Sequence, residues 1–102
     1  MRVAHEMKIG FYTRGNSIER EIQLSHLVAY AVIRKISPEE IVYYEDDPTD
    51  FRSLIFLIRY PIIKTLVLID LNQNIRLNNE GSDLLSLINQ LYKIEIIDLS
   101  KV

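Results

Sequence analysis

The chain has no cysteine, which rules out disulfides, thiolate nucleophiles and cysteine-ligated zinc. Its two histidines, His5 and His26, stand too far apart for a local metal motif. Each reads as an ordinary surface or partly buried side chain, and no metal is expected. Glycine is scarce too: Gly10 and Gly15 stand apart, so neither a G-x-G-x-x-G turn nor a phosphate-binding P-loop can be built. The first strand–helix turn also lacks the run of Ser, Thr and Gly donors that a flavin phosphate would need. No cofactor is expected.

Charge of one sign is missing as well. Twelve Lys and Arg face fourteen Asp and Glu, giving a net charge of −2 with no basic run. Proteins that hold DNA alone draw most of their non-specific affinity from a basic patch, so unaided DNA binding should be weak or absent. The apolar stretches, Leu54–Ile58 and Leu66–Ile69 among them, fall far short of the roughly 20 residues that span a bilayer. Met1-Arg-Val-Ala-His-Glu has no apolar signal core. A cytoplasmic protein without membrane contact is expected.

What is present is a folding composition. Nearly half the residues are apolar and a quarter are charged, with both signs mixed. At 102 residues one domain and one core are expected, since a domain usually takes about 100–200 residues. Residues 1–7 read as a disordered extension, with Met7 an alternative start to Met1.

The period of the apolar residues switches along the chain. Lys8–Thr13 is rich in β-branched and aromatic residues and reads as a strand. Asn16 followed by Glu19 has the form of a capping box. From Ser17 to Lys35, Leu24, Leu27, Val28 and Ala31 recur at i, i+3, i+4, i+7, predicting a helix that buries them. Ser37-Pro38 ends it. Glu40–Glu45 reads as a second strand and Asp46-Asp47-Pro48 as a loop.

Thr49 or Asp50 is the expected cap of a second helix burying Phe51, Leu54, Ile55 and Ile58, with Pro61 closing it. Thr65–Ile69 is a continuous apolar run, as expected of a central strand covered on both faces. Asp70–Gly81 reads as a polar loop. Ser82 or Asp83 should start a third helix burying Leu84, Leu87, Ile88 and Leu91, and Glu95–Leu99 is the last strand. The order β-α-β-α-β-α-β implies parallel pairing through right-handed crossovers. The fold expected is three-layer α/β/α, with a four-stranded, mainly parallel sheet in the flavodoxin-like order 2-1-3-4. Function in such sheets gathers beyond the strands' C-terminal ends, here Arg14–Ser17, Glu45–Pro48, Asp70–Arg76 and Asp98–Lys101.

Asp46 and Asp70, at two of those ends, have the chemistry to hold Mg²⁺, as in a receiver-like signalling domain with Asp70 as acceptor and Lys101 nearby. The acidic pair of such a domain would, however, follow the first strand.

Four segments, in order, resemble the catalytic domain of serine recombinases, the resolvases and DNA invertases. They are Ile9-Gly-Phe-Tyr-Thr-Arg-Gly-Asn-Ser17, Tyr44-Glu-Asp-Asp47, Leu66-Val-Leu-Ile-Asp70 and Asp83-Leu-Leu-Ser-Leu-Ile88. The resemblance implies a resolvase-like strand order and a phosphate site around a Tyr-x-Arg-x-Ser motif. Here Tyr12 and Arg14 keep their places, and Asn16 stands where the attacking serine belongs. A carboxamide cannot form the phosphoseryl link, and Ser17 is the nearest hydroxyl that could replace it.

The second motif, Asp-Arg-x-x-Arg, begins with Asp70 but has Leu71 and Asn74 at its arginine positions, with Arg76 beyond. Arg52 matches an arginine at the start of the second helix, and Asp46 the acid after the second strand. The residues that the resemblance makes catalytic are therefore Arg14, Ser17, Arg52 and Asp70. The family continues into a long helix and a DNA-binding domain, and the resemblance therefore implies a truncated core.

The function expected is a resolvase-like domain related to site-specific DNA recombination. It would be catalytically inactive, a regulator or a remnant from a mobile element, acting by protein contact or self-association. Phe56, Tyr60, Ile62 and Ile63 are the apolar side chains left over for such contact. The alternatives are a minimal strand-transferase using Ser17 and the receiver-like domain.

Overall fold

The computed structural model describes residues 8–69 and 79–101. Four strands, β1 (Lys8–Arg14), β2 (Ile41–Asp46), β3 (Ile63–Leu68) and β4 (Glu95–Asp98), form one sheet in the order β2-β1-β3-β4. Every pairing is parallel: Phe11 lies opposite Tyr43 and Val67, and Val67 opposite Ile97. The crossovers carry three helices, α1 (Ser17–Arg34), α2 (Arg52–Arg59) and α3 (Asn79–Tyr92). The expected strand order is the one found.

The sheet separates two cores of unequal size. Tyr12, Tyr44, Leu66 and Leu68 point to one face, where Leu54 and Leu57 of α2 and Leu85 and Ile88 of α3 cover them. Phe11 and Val67 point to the other face, met by Leu27 and Ala31 of α1. Both faces of β1 and β3 are thus buried, which is why these two strands are apolar on alternate and successive positions alike. Gly10 lies where the first core leaves no room. A Cβ there would come 2.7 Å from Ile63 Cδ1 and 3.0 Å from both Leu66 Cδ1 and Tyr44 Cε2.

The helices are rotated relative to the phases read from the sequence. Helix α1 buries Gln23, Leu27 and Ala31, with Leu24 half-buried, and leaves Val28 45% exposed. The cause is Gln23, a polar residue that the backbone of β1 draws inward. In α2 the buried residues are Leu54 and Leu57, behind Phe51. Ile58 is half-buried and Ile55 faces out. The near-continuous run Leu54–Ile58 gives no polar residue by which to set the phase of so short a helix.

Helix α3 begins at Asn79, ahead of Ser82 and Asp83, and buries Leu85 and Ile88, while Leu87 and Leu91 are exposed. Ile63 is fully buried as the first residue of β3, so it is no part of a free surface. Phe56, Tyr60 and Ile62 are exposed at about half their area. Among the described residues no helix is long and apolar enough to cross a membrane.

Candidate functional site

The C-terminal ends of β1 and β2 meet the first turns of α1 and α2. Gly15, after β1, has φ +132°, a backbone that side chains rarely adopt, and a Cβ there would collide with Glu19. Its N–H donates to the Asp46 carbonyl at 3.1 Å, tying the turn to β2. Asn16 then caps α1. Its Oδ1 accepts from Glu19 N–H at 2.8 Å, and Glu19 Oε1 accepts from Asn16 N–H at 2.9 Å, the reciprocal box read from the sequence. The Asn16 carboxamide therefore serves as a helix cap.

Arg14 turns inward. The residue is only 3% exposed. One of its amino groups donates to the Pro48 carbonyl at 2.9 Å and the other to the Asp50 carbonyl, and its Cζ sits 3.7 Å over the Phe51 ring. Its Nε has no hydrogen-bond partner among the described residues. Among the described residues no carboxylate lies within salt-bridge reach of it. Its own backbone is clamped by Gln23, whose Oε1 accepts from Arg14 N–H at 2.9 Å while Nε2 donates to Arg14 C=O at 2.8 Å.

Beside it, Tyr12 OH donates to Asp46 Oδ2 at 2.8 Å. Asp46 Oδ1 accepts from Ser53 N–H at 2.9 Å, while Ser53 Oγ donates to the Glu45 carbonyl at 2.6 Å. Asp46 thereby serves α2 as a cap from the neighbouring strand end. The N-cap by position is Phe51, with no side-chain bond, while Asp50 Oδ1 accepts from Arg52 N–H, the first of the helix, at 3.4 Å; Thr49 takes no part. Thr49 instead donates through N–H and Oγ1 to Asp47 Oδ1, at 2.9 and 2.7 Å. Burial and the Asp46 carboxylate push the Tyr12 hydroxyl far above its ordinary range.

Burial also raises the Asp46 carboxyl above 3.8, against the bonds from Ser53 and Tyr12, which lower it. The sign of the resulting pH effect follows directly. The folded chain binds the Asp46 proton more tightly than the unfolded chain, so this group's contribution falls as pH rises from about 4 through the raised value and is flat above it. Asp46→Asn carries no such titration. Urea unfolding of both proteins from about pH 4 to pH 7 should show the stability difference shifting steadily in the variant's favour.

The remaining expected residues are dispersed. Ser17 is exposed at the start of α1, in a shallow cleft with Arg20, Glu21, Leu24 and Glu45, and no described group orients its hydroxyl. Arg20 donates to the Gly15 carbonyl at 2.8 Å. Arg52 points into solvent, its side chain 89% exposed, with Nε 3.5 Å from Asp50 Oδ2. Asp70 lies outside the described residues, as do Leu71, Asn74 and Arg76. No group of three or more His, Asp or Glu side chains suited to a metal ion occurs among the described residues.

Sequence reading missed Gln23 and the capping role of Asp46. Gln23 lies in a stretch with Glu19, Arg20, Glu21, Ser25 and His26, so nothing in the pattern marked the first as buried. No local pattern signals the second, which joins residues of two elements. No protein-family model, curated protein or solved structure matches the chain.

Proposed function

We propose that the chain is a resolvase-like domain without strand-transfer chemistry of its own, a regulator or remnant from a mobile element that acts by protein contact. The observation that carries this reading is the use to which Arg14 and Asn16 are put. A phosphate-binding arginine must offer its guanidinium to the ligand, and here Pro48, Asp50 and Phe51 enclose it. A nucleophile must present a hydroxyl, and the side chain in its place is an amide engaged in capping α1. Among the described residues Ser17 has neither an enclosed site nor an orienting partner, and positioning contributes much of such catalysis. The exposed Phe56, Tyr60 and Ile62 supply apolar surface for contact.

The test is incubation with duplex DNA at low salt, followed by a native gel and a denaturing gel. No covalent adduct and no shift at micromolar protein are expected. An adduct that Ser17→Ala abolishes and Ser25→Ala retains would overturn the proposal and restore a strand-transferase.

A further inference from the structure

Helix α1 carries a second apolar stripe, on the side away from the sheet. Ile18, Ile22, Ser25, Ala29 and Val32 succeed one another at steps of four, three, four and three, the spacing at which one helix packs along another. All five are exposed, Ile18 at 69% and Val32 at 71%, and Val28 and Ile33 beside them are exposed too. Gln23, Leu27 and Ala31 occupy the opposite face. Pairing along the outer stripe would therefore leave the contact with the sheet undisturbed.

Two features specify the occupant. The middle of the stripe is small, and Ser25 Oγ donates to the Ile22 carbonyl at 2.7 Å, so this hydroxyl can be covered without losing its partner. Glu21 and Lys35 flank the stripe on one edge, at opposite ends of the helix. Neither side chain has a hydrogen-bond or ion-pair partner among the described residues. A second α1 laid antiparallel sets Ile22 against the second copy's Val32, Ser25 against its Ala29, and Glu21 against its Lys35. The last pairing occurs twice by symmetry. Antiparallel macrodipoles add to the attraction.

We propose that α1 pairs antiparallel with α1 of a second copy, making a two-fold dimer through the stripe Ile18–Val32. The proposal rests on the contact reading above and names one partner for it. It carries no consequence for whether DNA chemistry survives, so the two fail separately.

Sedimentation equilibrium of the full chain at about 100 µM, where a contact of this modest size should be populated, is expected to give twice the 12.0 kDa monomer mass. Ile22→Lys should give monomer with an unchanged helical circular dichroism spectrum. Glu21→Lys and Lys35→Glu should each weaken association roughly ten-fold, and the double variant should recover it, because each reversal turns two attractive pairs repulsive. The chain has no cysteine, so Val28→Cys provides a single thiol close to the two-fold axis, and a short bismaleimide should join two copies through it. Ile18→Cys should stay unlinked, since the helix is about 27 Å long and its two N-terminal ends lie far apart in an antiparallel pair. A monomer throughout overturns the dimer while leaving the contact reading to Phe56, Tyr60 and Ile62. Linking through Ile18→Cys rather than Val28→Cys overturns the antiparallel arrangement, and a dimer indifferent to Ile22→Lys overturns the choice of surface.

Discussion

Gln23→Leu is expected to lower the unfolding free energy by about 3 kcal/mol, read from the shift of the urea transition. The leucine is apolar, of similar volume, and sits at a position 1% exposed, so packing alone predicts a neutral or stabilising change. Hydrogen bonding decides otherwise. The Gln23 carboxamide satisfies both the N–H and the C=O of Arg14 at the end of β1, where the strand's own pairing stops. Removing it leaves two buried backbone groups without partners, each costing about 1–3 kcal/mol. The apolar gain of the substitution is of order 1 kcal/mol and recovers only part of that. Gln23→Glu serves as the companion test, because it keeps the acceptor for Arg14 N–H and loses the donor. A neutral Gln23→Leu would mean that the strand end finds its partners elsewhere.

The second large effect is expected at Arg14. Arg14→Met keeps most of the apolar stem and removes the guanidinium. Against the arginine stands the cost of holding a charge almost wholly buried with no carboxylate in reach among the described residues and with Nε unpartnered. In its favour stand two charge-assisted bonds to carbonyls, about 1.5–3 kcal/mol each, and the Phe51 stack, about 1–2 kcal/mol. The carbonyls of Pro48 and Asp50 sit in a surface loop where water can replace part of what is lost. The net loss expected is about 2 kcal/mol, accompanied by faster proteolysis between residues 47 and 51. A variant as stable and as protease-resistant as the parent would show that the guanidinium is no strut. It would then be free to serve a phosphate.

Much of the architecture was legible because it follows from period and punctuation. Asn16 and Glu19 announce the start of α1, and the switch from the helical stripe to Ile41-Val-Tyr-Tyr44 announces β2. The run Thr65–Ile69 announces a strand covered on both faces. The order 2-1-3-4 follows once the connections are helical. What could not be read is which side of each helix turns inward, because α1 carries more apolar residues than one face can bury. Leu24 and Val28 compete there with Leu27 and Ala31, and only the need of the Arg14 backbone for Gln23 settles the rotation. The site was legible as a place, the ends of β1 and β2, and illegible as chemistry. Nothing local to Arg14 foretells that carbonyls more than thirty residues away will enclose its side chain.

The position of β1 has a consequence for how the chain is made. Of the four strands described, β1 leaves the ribosome before the others and is a central one, and both of its neighbours come much later, with Ile9 registered against Ile41 and Thr65. At about 5–20 residues per second, β1 waits several seconds for β3 and longer for α3. During that time Phe11 has only α1 to pack against, and the core around Tyr12 is incomplete. The early α1 can cover the Phe11 side alone, whereas the Tyr12 side waits for α2 and is completed only when α3 appears. A nascent chain of this topology is most vulnerable to aggregation along β1, and its protection falls to whatever meets it at the exit tunnel.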